Sequence, residues 1–368
     1  MDSTANSATS AKRVDWVDVA KGICIVMVVM VHATLGVEVA AGQQGWMHYA
    51  VAWARPFRMP DFFLISGLFL GLVIDRPWLR YLDRKVVHFA YFYVLWLTIQ
   101  FAFKAPGMAM EHGVGGALFA YLFAFVQPFG TLWFVYLLPI FFVFTRLVRG
   151  LPVWLVLAWA AVMEMLPVLT GSIIFDEFCA RYVYFFAGYA LATQVFRVAD
   201  WCRANPGKVL ALLAIWAPLN ALLVFTPAPQ SLAGFLQPDI GDSGAVHGLA
   251  ELSVISLALG ASGLMAVVAI ATLVAERRWS GWLRWLGAHS IVVYLAFFLP
   301  MAVTRVVLLK TGIIPDIGTV SLIVTVVAVA SPVVFYAIVR RTGYGKWLFE
   351  RPAWAYIDTP AAARTATV

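Results

Sequence analysis

The sequence predicts an all-α, polytopic transmembrane helical bundle of about ten spans, with both termini in the cytoplasm. Three observations carry that prediction: the composition, the recurrence of long apolar stretches, and the placement of basic residues. Of the 368 residues, 62% are hydrophobic and only 12% are charged. A soluble chain carries roughly twice that share of charge. Apolar stretches of about 17–25 residues recur along the chain, each long enough to cross ~30 Å of hydrocarbon. No stretch reads as a separate soluble domain, a nucleotide-binding loop or a Gly-rich phosphate fingerprint. The net charge of +7 is therefore topology rather than a nucleic-acid footprint.

The spans fall at roughly 17–38, 57–75, 86–103, 131–148, 152–170, 179–196, 208–226, 247–275, 288–309 and 318–340. With the N-terminus inside, Lys12, Arg13, Arg76 to Lys85, Arg146, Arg149, Arg197 to Lys208, Arg277 to Arg284 and Arg340 to Arg351 share the cytoplasmic side. The other side receives Lys104, Glu111, Asp176, Glu177, Asp239 and Asp242. Residues 112–130, apolar but short and broken by Gly and Pro, read as an external, re-entrant or interfacial element. Residues 227–246 form a polar external loop. Residues 1–12 make a disordered tail, 13–351 the membrane domain, and 352–368 a loose tail. The first apolar run is long, carries His32 and lacks a small-residue cleavage site, so it reads as a retained span rather than a signal peptide. Cys24, Cys179 and Cys202 show no paired spacing, which predicts neither disulfides nor a metal site.

Two residues in the first span stand out. Lys21 and His32 are eleven positions apart, three helical turns plus ~20°, so they share one helix face about 16 Å apart along the axis. Asp18 lies on the same stripe, one turn before Lys21. Charged and titratable groups inside a membrane face protein or water, because lipid makes them expensive. A neutral imidazole at His32 is suited to general-base work, or else to bonding across helices as structural glue. Lys21 either snorkels to water or holds a phosphate or carboxylate, with Asp18 free to neutralise it.

A second constellation is Pro56-Phe-Arg58-Met-Pro60-Asp61, where Arg58 and Asp61 are spaced to pair at the outer end of the second span. The two prolines disfavour regular helix there. Arg181 opens the sixth span, at the depth of His32 and Arg58, as a site residue or an interfacial anchor. Trp133 opens the fourth span, placed to stack on a sugar or to sit in an aromatic belt. His48, His88, His112, His247 and His289 fall at span ends or in loops and read as solvated or interfacial.

At these residues the chain resembles the acyltransferase-3 superfamily of membrane O-acyltransferases, particularly its fucose-4-O-acetylase-like branch. The matching pieces are Lys21 and His32 with ten residues between them, and Phe-Arg-Met-Pro-x-Phe-Phe-x-x-Ser-Gly at 57–67. Leu-Trp-Phe at 132–134, Arg-Tyr-x-x-Phe-Phe-x-Gly-Tyr at 181–189 and Leu-Gly-x-x-Ser-Ile-x-x-Tyr-Leu at 286–295 complete them. Two positions depart from the family pattern. Asp61 stands where an apolar residue is usual, and Tyr294-Leu-Ala-Phe297 lacks a histidine many relatives carry after Tyr-Leu.

The resemblance implies an acyl group, usually acetyl and sometimes succinyl, moving from cytosolic acyl-CoA to a sugar hydroxyl outside the membrane. It implies His32 as the catalytic histidine, with Arg58 and Arg181 lining the pore or acceptor side. Lys21, with Asp18 beside it, would meet the CoA end, and Asp61 and Trp133 the acceptor. Acyl-CoA would be the donor substrate with no permanently bound cofactor. The expected partners are the bilayer, a glycan or lipid-linked sugar acceptor, and polysaccharide synthesis or export machinery, in a bacterial inner membrane. Two other readings accommodate the same intramembrane charges: a proton-coupled secondary transporter, and an inactive relative assisting polysaccharide export. The missing internal repeat weighs against the transporter.

Overall fold

The computed structural model describes residues 14–128, 130–237 and 248–358. Lys12, Arg13, Asp239, Asp242 and His247 lie outside the described residues. The chain is built of helices: α1 Asp15–Ala41, α2 Met47–Gly67, α3 Trp78–Leu82, α4 His88–Phe123, α5 Trp133–Val148 and α6 Val153–Met165. There follow α7 Ile173–Ala190, α8 Ala192–Ala204, α9 Pro206–Phe225, α10 Ser253–Ala275 and α11 Gly281–Ala288. The order ends with α12 Ser290–Ala296, α13 Phe298–Thr311 and α14 Ile317–Thr342. Among the described residues, extended pairing is limited to two isolated bridges, Pro227 with Gly248 and Leu236 with Leu252. By length and composition, six helices in the described residues can cross a membrane, or seven if α12 and α13, bent by 52°, count as one span.

Helix α1 is the central element, packed against α2, α10, α11, α12 and α14. Its apolar residues leave nearly every face buried, as expected of a helix surrounded by protein. Close approach to α11 depends on two glycines. A side chain on Gly287 would strike the carbonyl of Asp18, and one on Gly22 the carbonyl of Leu283.

The basic clusters gather at one end of the bundle, tied together by polar contacts. Arg284 pairs with Asp15 at 2.8 Å and Arg149 with Asp75 at 2.6 Å. Arg146 donates to the carbonyl of Arg76 at 2.6 Å, and Arg203 reaches Glu276 at 2.9 Å. At the opposite end the Trp46 indole donates to Asp316 at 3.1 Å, and Arg55 pairs with Glu251 at 2.6 Å. Trp46 and Arg55 thus make their polar contacts at the end of the bundle away from Arg284 and Asp15.

Several expectations change. The second span was expected at 57–75, but α2 begins at Met47 and ends at Gly67 with Pro56 and Pro60 inside it. Neighbouring helices and waters can re-satisfy the carbonyls a proline frees in a membrane helix, so the prolines do not mark an end. Within 112–130, read as an external, re-entrant or interfacial element, residues 112–123 are helical apart from a break at Gly113. Gly113 turns the backbone at φ 73, ψ 167, and the segment after it folds back along α4. Tyr121 lies 2.8 Å from the Thr98 hydroxyl and stacks obliquely on Phe101, while the Tyr93 hydroxyl donates to the Ala124 carbonyl. His48 is buried rather than interfacial, bonded to Glu38 at 2.9 Å. Residues 352–358, read as part of a loose tail, are docked. Arg351 stacks over Tyr356 at 3.8 Å, and the Ile357 amide donates to Asp83. Asp83 begins a π-helical turn, 83–87, and also takes Arg351 at 2.6 Å as a buried ion pair.

Candidate functional site

The stripe on α1 is intact and meets one short helix along its length. Lys21, with Asp18 3.8 Å away, borders a cavity of about 150 Å³. Phe62 and Ser66 of α2, Phe134 of α5, and Ser290 and Tyr294 of α12 line it. Three turns further on, the His32 ring stacks on Phe297 with centroids 5.6 Å apart and planes 27° from parallel. Phe297 sits at the junction where α12 bends into α13. Lys21 and His32 therefore face opposite ends of α12, with Tyr294 between them. The Tyr294 hydroxyl is fixed by donation to the Thr131 carbonyl, which joins α12 to the start of α5.

Arg58 and Asp61 occupy the middle of α2 rather than its outer end, because the helix starts ten residues earlier than expected. Both are buried. At 100° per residue Arg58 lies within about 40° of Phe62 and Ile65, two residues of the cavity wall, and so stands above it on the same face. The pairing of Arg58 with Asp61 expected from their spacing is not formed. Asp61 Oδ2 has no hydrogen-bond partner among the described residues.

Arg181 sits mid-helix in α7 and donates to Glu177 at 3.0 Å. Its stripe continues through Phe185 and Gly188, which press on Gly67 and Leu64 of α2. From the Gly188–Leu64 contact, seven residues back along both helices bring Arg181 level with Phe57 and Arg58. The sequence reading missed the neighbour of this seam, Glu164 of α6, which accepts from Tyr184 at 3.0 Å and from Ser256 at 3.2 Å. Trp133 packs on Phe63 at 6.1 Å between ring centroids. The adjacent Phe134, not Trp133, borders the cavity.

Beyond His32 lies a second group that the sequence reading passed over. Gln100 of α4 is only 2% exposed, and neither of its amide atoms has a hydrogen-bond partner among the described residues. Lys104, one turn on, holds its Nζ 4.9 Å over the Phe298 ring. Arg305 of α13 reaches Gly36 of α1, with a guanidinium nitrogen 2.5 Å from where a β-carbon would stand. Gln100 was detectable, since a lone amide inside an apolar run is costly in lipid and calls for a partner. Lys104 and Arg305 carried no such mark, being indistinguishable by sequence from interfacial anchors. Among the described residues, no cluster of three or more His, Cys, Asp or Glu side chains is arranged to hold a metal ion.

Residues 14–339 match a protein-family model described as an acyltransferase domain. No curated protein and no solved structure matches the chain.

Proposed function

This chain belongs to the acyltransferase-3 family of membrane acyltransferases, and from that premise we propose the reaction it carries out. An acyl group, acetyl in the first instance, passes from cytosolic acyl-CoA to a hydroxyl of an extracytoplasmic or lipid-linked glycan. The protein does this as a ten-span protein of a bacterial inner membrane with both termini in the cytosol, in the manner of the fucose-4-O-acetylase-like branch. The observation that carries the reading is the α1 stripe: a lysine bordering the cavity that Ser290 and Tyr294 of α12 line, and a histidine further along, stacked on Phe297 at the far end of that helix.

Lys21, with Asp18 beside it, meets the anionic CoA end, and the apolar cavity receives the acyl-bearing arm. His32 takes the proton of the acceptor hydroxyl. The oxygen then attacks the thioester carbonyl, the carbon–sulfur bond breaks, and the CoA thiolate leaves with the proton returned by the imidazolium. Transfer through an acyl-imidazole uses the same residues in two steps. Arg58 and Arg181, level with one another, offset the oxyanion. Removing one donor of that kind typically costs ~3–4 kcal/mol of transition-state stabilisation. Asp61 and Trp133 flank the acceptor side, and polysaccharide synthesis or export machinery would deliver the acceptor.

The test is acyl-CoA binding and thioester turnover by the purified, monodisperse protein in detergent. Saturable binding weakened by Lys21→Ala, with turnover lost in His32→Ala, is expected. Absence of binding in a folded preparation overturns the reading and redirects work to transport assays.

A further inference from the structure

The geometry points to an anion-binding acceptor site beyond His32, made by Lys104, Arg305 and the unsatisfied amide of Gln100, so that the acceptor carries a carboxylate or phosphate near the acylated hydroxyl. This rests on the proposed transferase reading and narrows its substrate class.

The site is assembled from three helices around the far side of the histidine. Phe297 stacks on His32, and its chain neighbour Phe298 lies under the Lys104 ammonium. Arg305 approaches α1 at Gly36, one turn beyond His32. Gly130, held in the left-handed region at φ 59, lets the chain before α5 turn next to Lys104 and Gln100, with both side chains within 4 Å of its β-carbon position. Thr131, the next residue, has a buried hydroxyl with no hydrogen-bond partner among the described residues.

Two features make this a ligand site rather than a packing accident. Buried amides are nearly always satisfied, and among the described residues Gln100 has both its donor and its acceptor unmet. Lys104 and Arg305 also stand within one another's field, which makes the surroundings of that amide electropositive. A carboxylate or phosphate bound beside the two cations, with a ring hydroxyl on Gln100, suits both features. Arginine supplies a fork for either anion.

The experiment offers wild-type protein and acyl-CoA three acceptors: a uronic-acid oligosaccharide, its carboxyl-reduced neutral form, and a glycosyl phosphate of similar size. Acceptor KM should be at least tenfold lower for one or both charged acceptors than for the neutral one, and which of them wins identifies the anion. Arg305→Glu and Lys104→Glu should reverse the order, favouring an amino-sugar oligosaccharide over the acidic one. Gln100→Leu should raise acceptor KM with little change in KM for acyl-CoA. Turnover that is equal for charged and neutral acceptors overturns this inference alone. Absence of turnover with every acceptor, together with no acyl-CoA binding, overturns the proposed function beneath it.

Discussion

The face of α1 that meets α12 and the seam between α2 and α7 both carry charged or titratable groups within the bundle, yet they are joined in opposite ways. At the seam, backbone touches backbone. A β-carbon on Gly67 would strike the Phe185 carbonyl, and one on Gly188 the Leu64 carbonyl. The aromatic side chains Phe141, Phe178, Tyr182 and Phe185 interlock beside it. Across α12 the contact is made by rings and a cavity, and the covering helix is broken and bent by 52°. The seam fixes where Arg58 and Arg181 stand. The α12 face leaves space and a joint, which in the proposed reaction receive a long, flexible donor. Rigid placement of the charged donors and a yielding wall for the substrate are what a group-transfer site requires.

The sharpest way to break the comparison is His32→Ala. Its ring stacks on Phe297 at the bend of the yielding side, and turnover should fall by about 10²–10⁴-fold, the range of general acid–base catalysis, with no change in the thermal midpoint. Loss of both together would place His32 in the structural core instead. Gly188→Ala probes the seam. A carbonyl cannot swing aside as a side chain can, and overpacking of this kind typically costs 1–3 kcal/mol. The midpoint in detergent should drop and activity should follow it. Gly36→Ala is the paired control on the α12 side, because the atom it meets is the end of a long arginine. Stability there should hold, and a drop as large as that of Gly188→Ala would erase the distinction between the regions.

The smallest effect lies at the far end, where Asp316 caps α14. It accepts from the Thr319 hydroxyl and amide, each at 2.6 Å, and from the Trp46 indole. The Thr319 bonds hold its carboxyl below the usual aspartate range. The folded state thus binds this proton less readily than the unfolded one. The stabilisation is complete above the unfolded value of about 3.9 and fades as pH falls through the lower folded value. Thermal midpoints measured on acidification should converge between wild type and Asp316→Ala; a constant gap would exclude this carboxylate as their source.

The α1 stripe was legible because helix geometry is local, and α1 is one unbroken helix from Asp15 to Ala41. The two charged ends were legible because basic connections alternate along the chain. The position of α2 was not. Pro56 and Pro60 read as a boundary only until neighbouring helices are present to absorb their cost. The bend at Phe297 does have a mark that the reading of the sequence did not use: Pro300 has no N–H to offer the Ala296 carbonyl four residues back, where α12 ends. The level of Arg181 against Arg58 depends on which glycines meet across two helices, a fact of tertiary packing. The group around Gln100 joins residues from α1, α4 and α13, which periodicity within any one span cannot bring together.

Asp83 and Arg351 are 268 residues apart and meet with side chains 0% and 1% exposed. During synthesis the aspartate is placed beside Arg84, 3.8 Å away, long before its buried partner Arg351 exists, and removing one partner of a buried pair is strongly destabilising. Chains stopped at residue 350 should be cleared by membrane quality control faster than longer ones, and Asp83→Asn should slow that clearance. Equal lifetimes would deny this dependence on Arg351. One ion pair thus ties the packing near the start of the bundle to a residue made at its end.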